Sequence, residues 1–285
     1  MEIRDFQLVN TGKPTIISHI DEFNDLEKVL DMASESGFYL PIDKSLGSTS
    51  FSLIAKARKA LGIKKIGHAG TLDPLATGLV VLAVGKKATK TIDSLMDSRK
   101  VYNGKMVIGL VSDTDDAEGP IADAENIFRC DNENNLLYDL EKIKINYLGD
   151  ILQIPPRFSA KKINGKRMYK MARKGEDFQP RPTLVNVGAI EFFNPKLATI
   201  LDITKSTLTK YMGNLAGVKY NRYWTVDFSV ECGKGTYIRS LVRDIGRDLG
   251  SGAYMTELRR TRSGNFHVEK SLSEEELIEL IEKRA

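Results

Sequence analysis

Residues 67–78, GHAGTLDPLATG, set one carboxylate, Asp73, among glycines, small residues and a single imidazole, His68. Proline follows at position 74, which disfavours helix at Asp73 and keeps the chain extended or turned there. Gly70 and Gly78 let backbone or a ligand approach closely. A carboxylate held this way can act as nucleophile, general base or metal ligand. A divalent cation generally needs further carboxylates nearby and this segment has one, so nucleophile or base is the better functional reading. The competing reading is an Asp-Pro turn without chemistry.

The surrounding elements must hold this segment still. The run LVVLAV (79–84) is apolar, β-branched and bounded by glycines, so it reads as a buried strand. Upstream, Thr49 or Ser50 can cap a helix through Leu61 that Gly62 stops, and IKKIG then leads into the motif as a short strand or loop. Residues 1–20 read as an irregular arm. Residues 21–36 place Phe23, Leu26, Leu30 and Ala33 on one helical face, with Gly37 to end it, and FYLPID reads as a short strand.

Downstream, residues 88–97 read as helix. KVYNGKMVIGL (100–110) reads as a strand with Tyr102, Met106, Ile108 and Leu110 on one face. SDTDDAEG (112–119) is an acidic loop, and one helix is expected within 120–150. RYWTVDFSVEC (222–232) alternates, sending Trp224, Val226, Phe228, Val230 and Cys232 one way. A helix from Ile238 to Leu249 buries Ile238, Leu241, Val242, Ile245 and Leu249. In the tail, Ser273 and Glu276 form a capping box, and Leu272 and Leu277 are spaced for a hydrophobic staple. Strands and helices mix without regular βαβ alternation, which favours an α+β fold.

Composition narrows the classes. The chain has 285 residues, of which 41% are hydrophobic and 28% charged, as in an ordinary water-soluble protein of one or two domains. Its longest apolar run is too short to cross a bilayer, and the N-terminus does not read as a secretory signal. Cys130 and Cys232 lie far apart in no metal-ligand spacing, which fits a reducing cytoplasm and argues against a disulfide scaffold or a zinc site. The net charge of +4 says little, but its distribution says more. Between Arg157 and Arg181 stand nine basic residues, Lys161 and Arg173 among them, against two acidic ones. Such a cluster is the footprint of a polyanionic partner or a merely solvated face. LVVLAVGKKATK resembles a phosphate loop but fails its pattern, since Val80 and Lys87 stand where Gly and Ser or Thr are required.

The segment GHAGTLDPLATGLVVLAVGKKATK closely resembles the signature of the TruB family of tRNA pseudouridine synthases. Further segments resemble that family in its order: DKSLGSTS (43–50), KVYNGKMVIG, SDTDDAEG, IPPRFSAKKINGKRMYKMARKG (154–175), CGKGTYIRSLVRDIGRDLG (232–250) and TELRRTRSGNF (256–266). The resemblance covers about residues 38–268. It implies a pseudouridine synthase fold, with a mixed, mainly antiparallel central sheet flanked by helices and loops around an RNA-binding cleft. It implies that Asp73 is the nucleophile on uridine 55 of the tRNA T loop, flipped out of its stack.

It further implies that Arg239 is the cation paired with Asp73, that Tyr102 stacks on the flipped base and assists proton removal, and that Tyr237 and Leu258 wall the pocket. His68 would fill the space the base vacates. Gly70, Lys90, Lys161 and Arg173 are expected to contact RNA, with 157–181 gripping phosphates. No metal, cofactor or obligatory protein partner is implied, and the partner is the T stem-loop of tRNA. A cytoplasmic monomer without membrane contact is the default expectation.

Two departures stand out. Ser45 occupies a position the family usually gives to proline, with Leu46 at one that is commonly basic. Only 19 residues follow Phe266, too few for the RNA-binding PUA domain that many members carry. The expected organisation is an N-terminal extension with one helix (1–37), a catalytic domain (38–268) and a C-terminal helix (269–285). Alternatives are a guide-RNA-dependent synthase, a catalytically idle RNA-binding or tRNA-folding protein and, least favoured, a phosphate-loop NTPase.

Overall fold

Thr49 caps the helix that leads to the motif. Its side chain accepts from the Ser52 amide at 3.0 Å, Ser52 returns a bond to the Thr49 amide at 3.1 Å, and the helix runs Ser50–Leu61. Gly62 ends it in the left-handed conformation at φ 70°. These features belong to a computed structural model that describes residues 14–23, 25–206 and 214–283. The irregular arm expected over residues 1–20 lies outside the described residues as far as residue 13.

The chain forms two compact units. One comprises the described residues of Met1–Asp73, Gly78–Met96 and Asn265–Ala285; the other comprises Pro74–Thr77 and Asp97–Gly264. In the first unit the strand Phe38–Lys44 runs antiparallel to Thr77–Val84, with Phe38 opposite Val84 and Lys44 opposite Gly78. Ile66–Ala69 pairs antiparallel with the other edge of the same strand. Thr15–Ile16 and Leu272–Ser273 add parallel pairs to Phe38–Lys44. Every residue from Gly78 to Val84 is buried, as an apolar run covered on both faces must be. Residues 86–97 contain two short helices, Lys86–Thr89 and Ile92–Asp97, instead of one.

The C-terminal helix Glu274–Glu282 carries the expected capping box between Ser273 and Glu276, and Leu272 and Leu277 are both buried. It packs on the Ser50–Leu61 helix.

The upstream helix spans Leu26–Glu35, capped by Asp25, whose carboxylate accepts from the Lys28 amide at 3.0 Å. Its inward face departs from expectation. Val29 and Ala33 are buried with Phe23, whereas Leu30 is 42% exposed. The cap at Asp25 starts the helix after Phe23, so the inward stripe follows Val29 and Ala33, one turn apart, and Leu30 falls beside it.

In the second unit the main described strands pair antiparallel. Lys100–Ile108 lies between Arg222–Cys232 and Ala253–Ser263, and Thr183–Thr199 joins Arg222–Cys232 to Gly149–Gln153. The alternation in 222–232 appears as drawn: Trp224, Val226, Phe228, Val230 and Cys232 are all buried, and Tyr223 joins them. Gly109, at φ 97°, breaks the strand after Ile108, so Leu110 begins a separate short strand, Leu110–Ser112. Met106, Val107 and Ile108 are all buried, so both faces of that strand end are covered and the single-face pattern stops there. The helix Ile238–Asp248 packs on Ala253–Ser263; Ile238, Leu241, Val242 and Ile245 are buried as expected, whereas Leu249 stands at the C-terminal cap and is only half-buried. Helices and antiparallel strands without βαβ alternation make the class α+β.

Candidate active site

Asp73 is half-buried and follows a tightly held residue. Leu72 is 4% exposed, and its amide donates to the Ser50 hydroxyl at 2.9 Å. The same hydroxyl lies 3.4 Å from the Leu72 carbonyl, so one buried side chain engages both polar groups of that residue. Gly70, three residues before Asp73, has φ 86°, a left-handed conformation that a side chain would strain. His68 lies on the Ile66–Ala69 strand opposite Leu82. Its ring meets that of Phe51 edge-on, with centroids 5.5 Å apart. Phe51, in the first helical turn, is 66% exposed and was not singled out from the sequence. Lys90 closes the Lys86–Thr89 helix and is exposed.

The other expected residues lie in the second unit. Tyr102 is half-buried in the middle strand, opposite Val230 on one side and Arg260 on the other. The Arg260 guanidinium is buried, lies 6.0 Å from the Tyr102 ring centroid and approaches the phenol oxygen at 3.5 Å. Lys100, also buried, has its ammonium pKa held down by burial first and by Arg260 second. Arg260 and Lys100 are thus two buried cations on or beside the Tyr102 strand. The signal for Arg260, in RRTRSG, is only a run of basic residues.

Arg239 is 5% exposed in the first turn of Ile238–Asp248. Its guanidinium donates to the carbonyls of Thr114 at 3.0 Å and Phe158 at 3.1 Å, and pairs with the Asp116 carboxylate at 3.4 Å. Asp116 is itself 1% exposed, and its other oxygen accepts from Thr114 at 2.5 Å and from the Glu118 amide at 3.0 Å. One turn further along the helix, Arg243 pairs with Asp115 at 2.9 Å and donates to the Ile154 carbonyl at 3.0 Å. The acidic stretch 112–119 is therefore a fixture of the helix that carries Arg239. A run of acids before a glycine gives no hint that two of them face inward.

Tyr237 precedes that helix and is half-buried. Gln153, 2% exposed, donates to its carbonyl at 3.0 Å and accepts from its amide at 2.8 Å. This reciprocal pair fixes the helix entrance, and a lone Gln in ILQIPP carries no sequence signal for it. Leu258 is 8% exposed, and its carbonyl faces the Thr77 hydroxyl at 3.5 Å.

The basic segment contains a small hairpin, Lys162–Ile163 with Lys166–Arg167, and then the helix Met168–Arg173. Of its nine cations all but Lys161 are exposed. Lys161 donates to the Thr183 hydroxyl, and burial lowers its pKa. Arg173 lies 5.6 Å from the Tyr169 ring and Arg157 5.0 Å from that of Phe178. Guanidinium groups on aromatic faces present their remaining donors outward. Among the described residues, no group of three or more His, Cys, Asp or Glu side chains could hold a metal ion. No described helix is long and apolar enough to cross a membrane.

Comparison with known proteins agrees with the fold. The family model described as TruB family pseudouridylate synthase (N terminal domain) matches residues 58–238. The one described as tRNA pseudouridylate synthase B C-terminal domain matches residues 239–284. The chain is 39% identical to tRNA pseudouridine synthase B of Chlamydia felis over 233 residues, covering 82% of this chain and 85% of that protein. It is 37% identical to the protein of that name from Desulfotalea psychrophila, covering 85% and 88%. Among solved structures it resembles a Cbf5–Nop10–Gar1 complex, with 27% identity and a TM-score of 0.55. That match covers 89% of this chain and 56% of the other. A second, an H/ACA RNP bound to a substrate RNA containing 2'-deoxyuridine, gives 26% identity and a TM-score of 0.54, covering 89% and 55%. The chain thus spans little more than half the length of those structural neighbours.

Proposed function

The chain belongs to the TruB family of pseudouridylate synthases, and from that premise we propose that it isomerises uridine 55 in the T loop of tRNA, with Asp73 as the nucleophile. The observation that carries this assignment is the GHAGTLDPLATG segment, which lies within the matched region and whose Leu72 is clamped directly ahead of Asp73. Relatives named tRNA pseudouridine synthase B support tRNA as the substrate.

The chemistry requires the uridine to leave its stack before any side chain reaches its ribose or ring. Asp73 then attacks the ribose or the base, and the bond between N1 and C1′ breaks. The freed uracil rotates, C5 bonds to C1′, and loss of the C5 proton restores the ring. The C5 proton leaves to solvent, N1 takes one up and Asp73 is released unchanged, so substrate and product have the same composition and no redox balance arises. We assign Arg239 to keep the attacking carboxylate ionised, which an apolar pocket would otherwise disfavour. Tyr102 is assigned to stack on the base and assist proton removal, with Tyr237 and Leu258 as walls and His68 as the group filling the vacated stack. The exposed cations of 157–181, Arg173 among them, with Lys161 and Lys90, would hold phosphates and carry no base preference.

We take residues 38–268 as the catalytic domain, acting without an obligatory protein partner. The test is release of tritium from a tRNA transcript labelled at uridine C5, followed by mapping of the modified position. Release together with a single pseudouridine at position 55 is expected. A modified uridine elsewhere would overturn the assigned substrate position, and absence of release with tRNA bound would overturn the activity.

A further inference from the structure

The loop Ser45–Thr49, which precedes the Ser50–Leu61 helix, is gripped by two buried charges of opposite sign. Glu274, in the first turn of the C-terminal helix, is 2% exposed. It accepts from the Ser45 amide at 3.0 Å, from the Ser48 hydroxyl at 2.5 Å and from the Lys56 ammonium. Lys44, fully buried, takes the opposite polarity and donates to the carbonyls of Ser45 at 3.1 Å and Ser48 at 2.7 Å. The carboxylate thus reads the loop's donors and the ammonium reads its acceptors. Burial alone would raise the Glu274 pKa, yet Lys56, Ser48 and the Ser45 amide together hold it below its ordinary value, so the site is built for an anion.

The loop ends at Ser50, 1% exposed, whose hydroxyl clamps Leu72. A path of hydrogen bonds joined by covalent backbone therefore runs from Glu274 through the Ser45–Thr49 loop to Ser50 and the residue before Asp73. All of it lies within one compact unit.

We propose that Glu274 is a positioning residue for Asp73, acting from the C-terminal helix through the Ser45–Thr49 loop and the Ser50 hydroxyl on Leu72. This rests on Asp73 being the nucleophile. A carboxylate that must meet one atom of a flipped nucleotide loses rate when its backbone wanders, even with substrate binding intact. The C-terminal helix is on this account part of the catalytic apparatus while touching no substrate. Ser45, standing where the family usually has proline, supplies Glu274 with an amide hydrogen that proline would lack.

The test combines amide hydrogen exchange at Leu72 with single-turnover tritium release at saturating tRNA, for the parent, Glu274→Gln, Ser50→Ala and Ser45→Pro. Ser45→Pro deletes one donor to Glu274 and leaves the carboxylate in place. Each variant is expected to speed Leu72 exchange and lower the single-turnover rate, by about tenfold for Glu274→Gln and Ser50→Ala and less for Ser45→Pro, with tRNA affinity within about twofold of the parent. Should Glu274→Gln fail to fold, Ser45→Pro and Ser50→Ala decide the matter by the same two readings. Parent-like Leu72 exchange in Glu274→Gln or Ser45→Pro would overturn the proposal, as would a rate loss matched by an equal loss of tRNA affinity. Asp73→Asn measured alongside separates the two ideas. If it releases tritium like the parent, the nucleophile assignment fails and the proposal falls with it, whatever the exchange shows. If it is inactive while Leu72 exchange ignores Glu274, only the positioning role fails.

Discussion

The backbone ahead of Asp73 and the side chain of Arg239 are fixed by different means. Leu72 is held by one neutral hydroxyl. Such bonds fix a backbone at a net gain of about 1 kcal/mol each, and they place no charge beside the carboxylate they help to aim. Arg239 is instead held by charge, between the buried carboxylate of Asp116 and two carbonyls. A buried ion pair gains little over apolar packing but is costly to break from one side. Removing the neutral Ser50 support should therefore give a graded loss, whereas breaking the Arg239 pair from one side should fail abruptly.

The largest effect expected from this contrast is at Arg239. Arg239→Met leaves Asp116 buried without its cation, and the loss should be about 3–5 kcal/mol of stability. Urea denaturation checks it. A loss below about 1 kcal/mol would mean that the pair is dispensable and the contrast mistaken. Next comes the helix entrance. Gln153→Leu keeps the bulk but strips both bonds from Tyr237, at an expected cost of about 1–3 kcal/mol, read in the same way.

The smallest effect concerns pH. Burial pushes the Asp115 carboxyl up to about 6 from an ordinary 3.8, against the pull of Arg243 and Arg239. Between those values the folded protein binds more protons than the unfolded chain, so this group's contribution to stability falls as pH rises through the window. Asp115→Asn removes that fall. The stability of the variant relative to the parent should thus improve from about pH 4 to about pH 6.5, although the Arg243 pair is lost. An unchanged difference would show that Arg243 compensates fully for burial.

Legibility in the sequence follows the same division. The Asp73 motif is contiguous, so its residue types, the strand 79–84 and the cap at Thr49 were all readable from local pattern. So was the C-terminal capping box, whereas the role of its neighbour Glu274 requires contacts more than two hundred residues back along the chain. The inward turn of Asp115 and Asp116 was not readable, because their partners Arg243 and Arg239 lie on a helix well over a hundred residues away. Thr183–Thr199 was missed as a strand, since Asn194 and Pro195 interrupt it and Leu184, Phe193 and Leu197 face outward. The error at Leu30 has a local cause, the cap at Asp25, which reset the phase of a short helix. The resemblance to a family supplied roles that spacing alone could not, while Gln153 and Arg260 emerged only from the packed structure.

The central claim is that Asp73 is the nucleophile of a uridine isomerisation, and the most direct measurement compares C5-tritium release by the parent and by Asp73→Asn, which preserves shape and removes charge. Release by the parent and none by the variant, with tRNA binding equal in both, is the predicted result. Equal release by both proteins would contradict it and return Asp73 to the role of a turn residue.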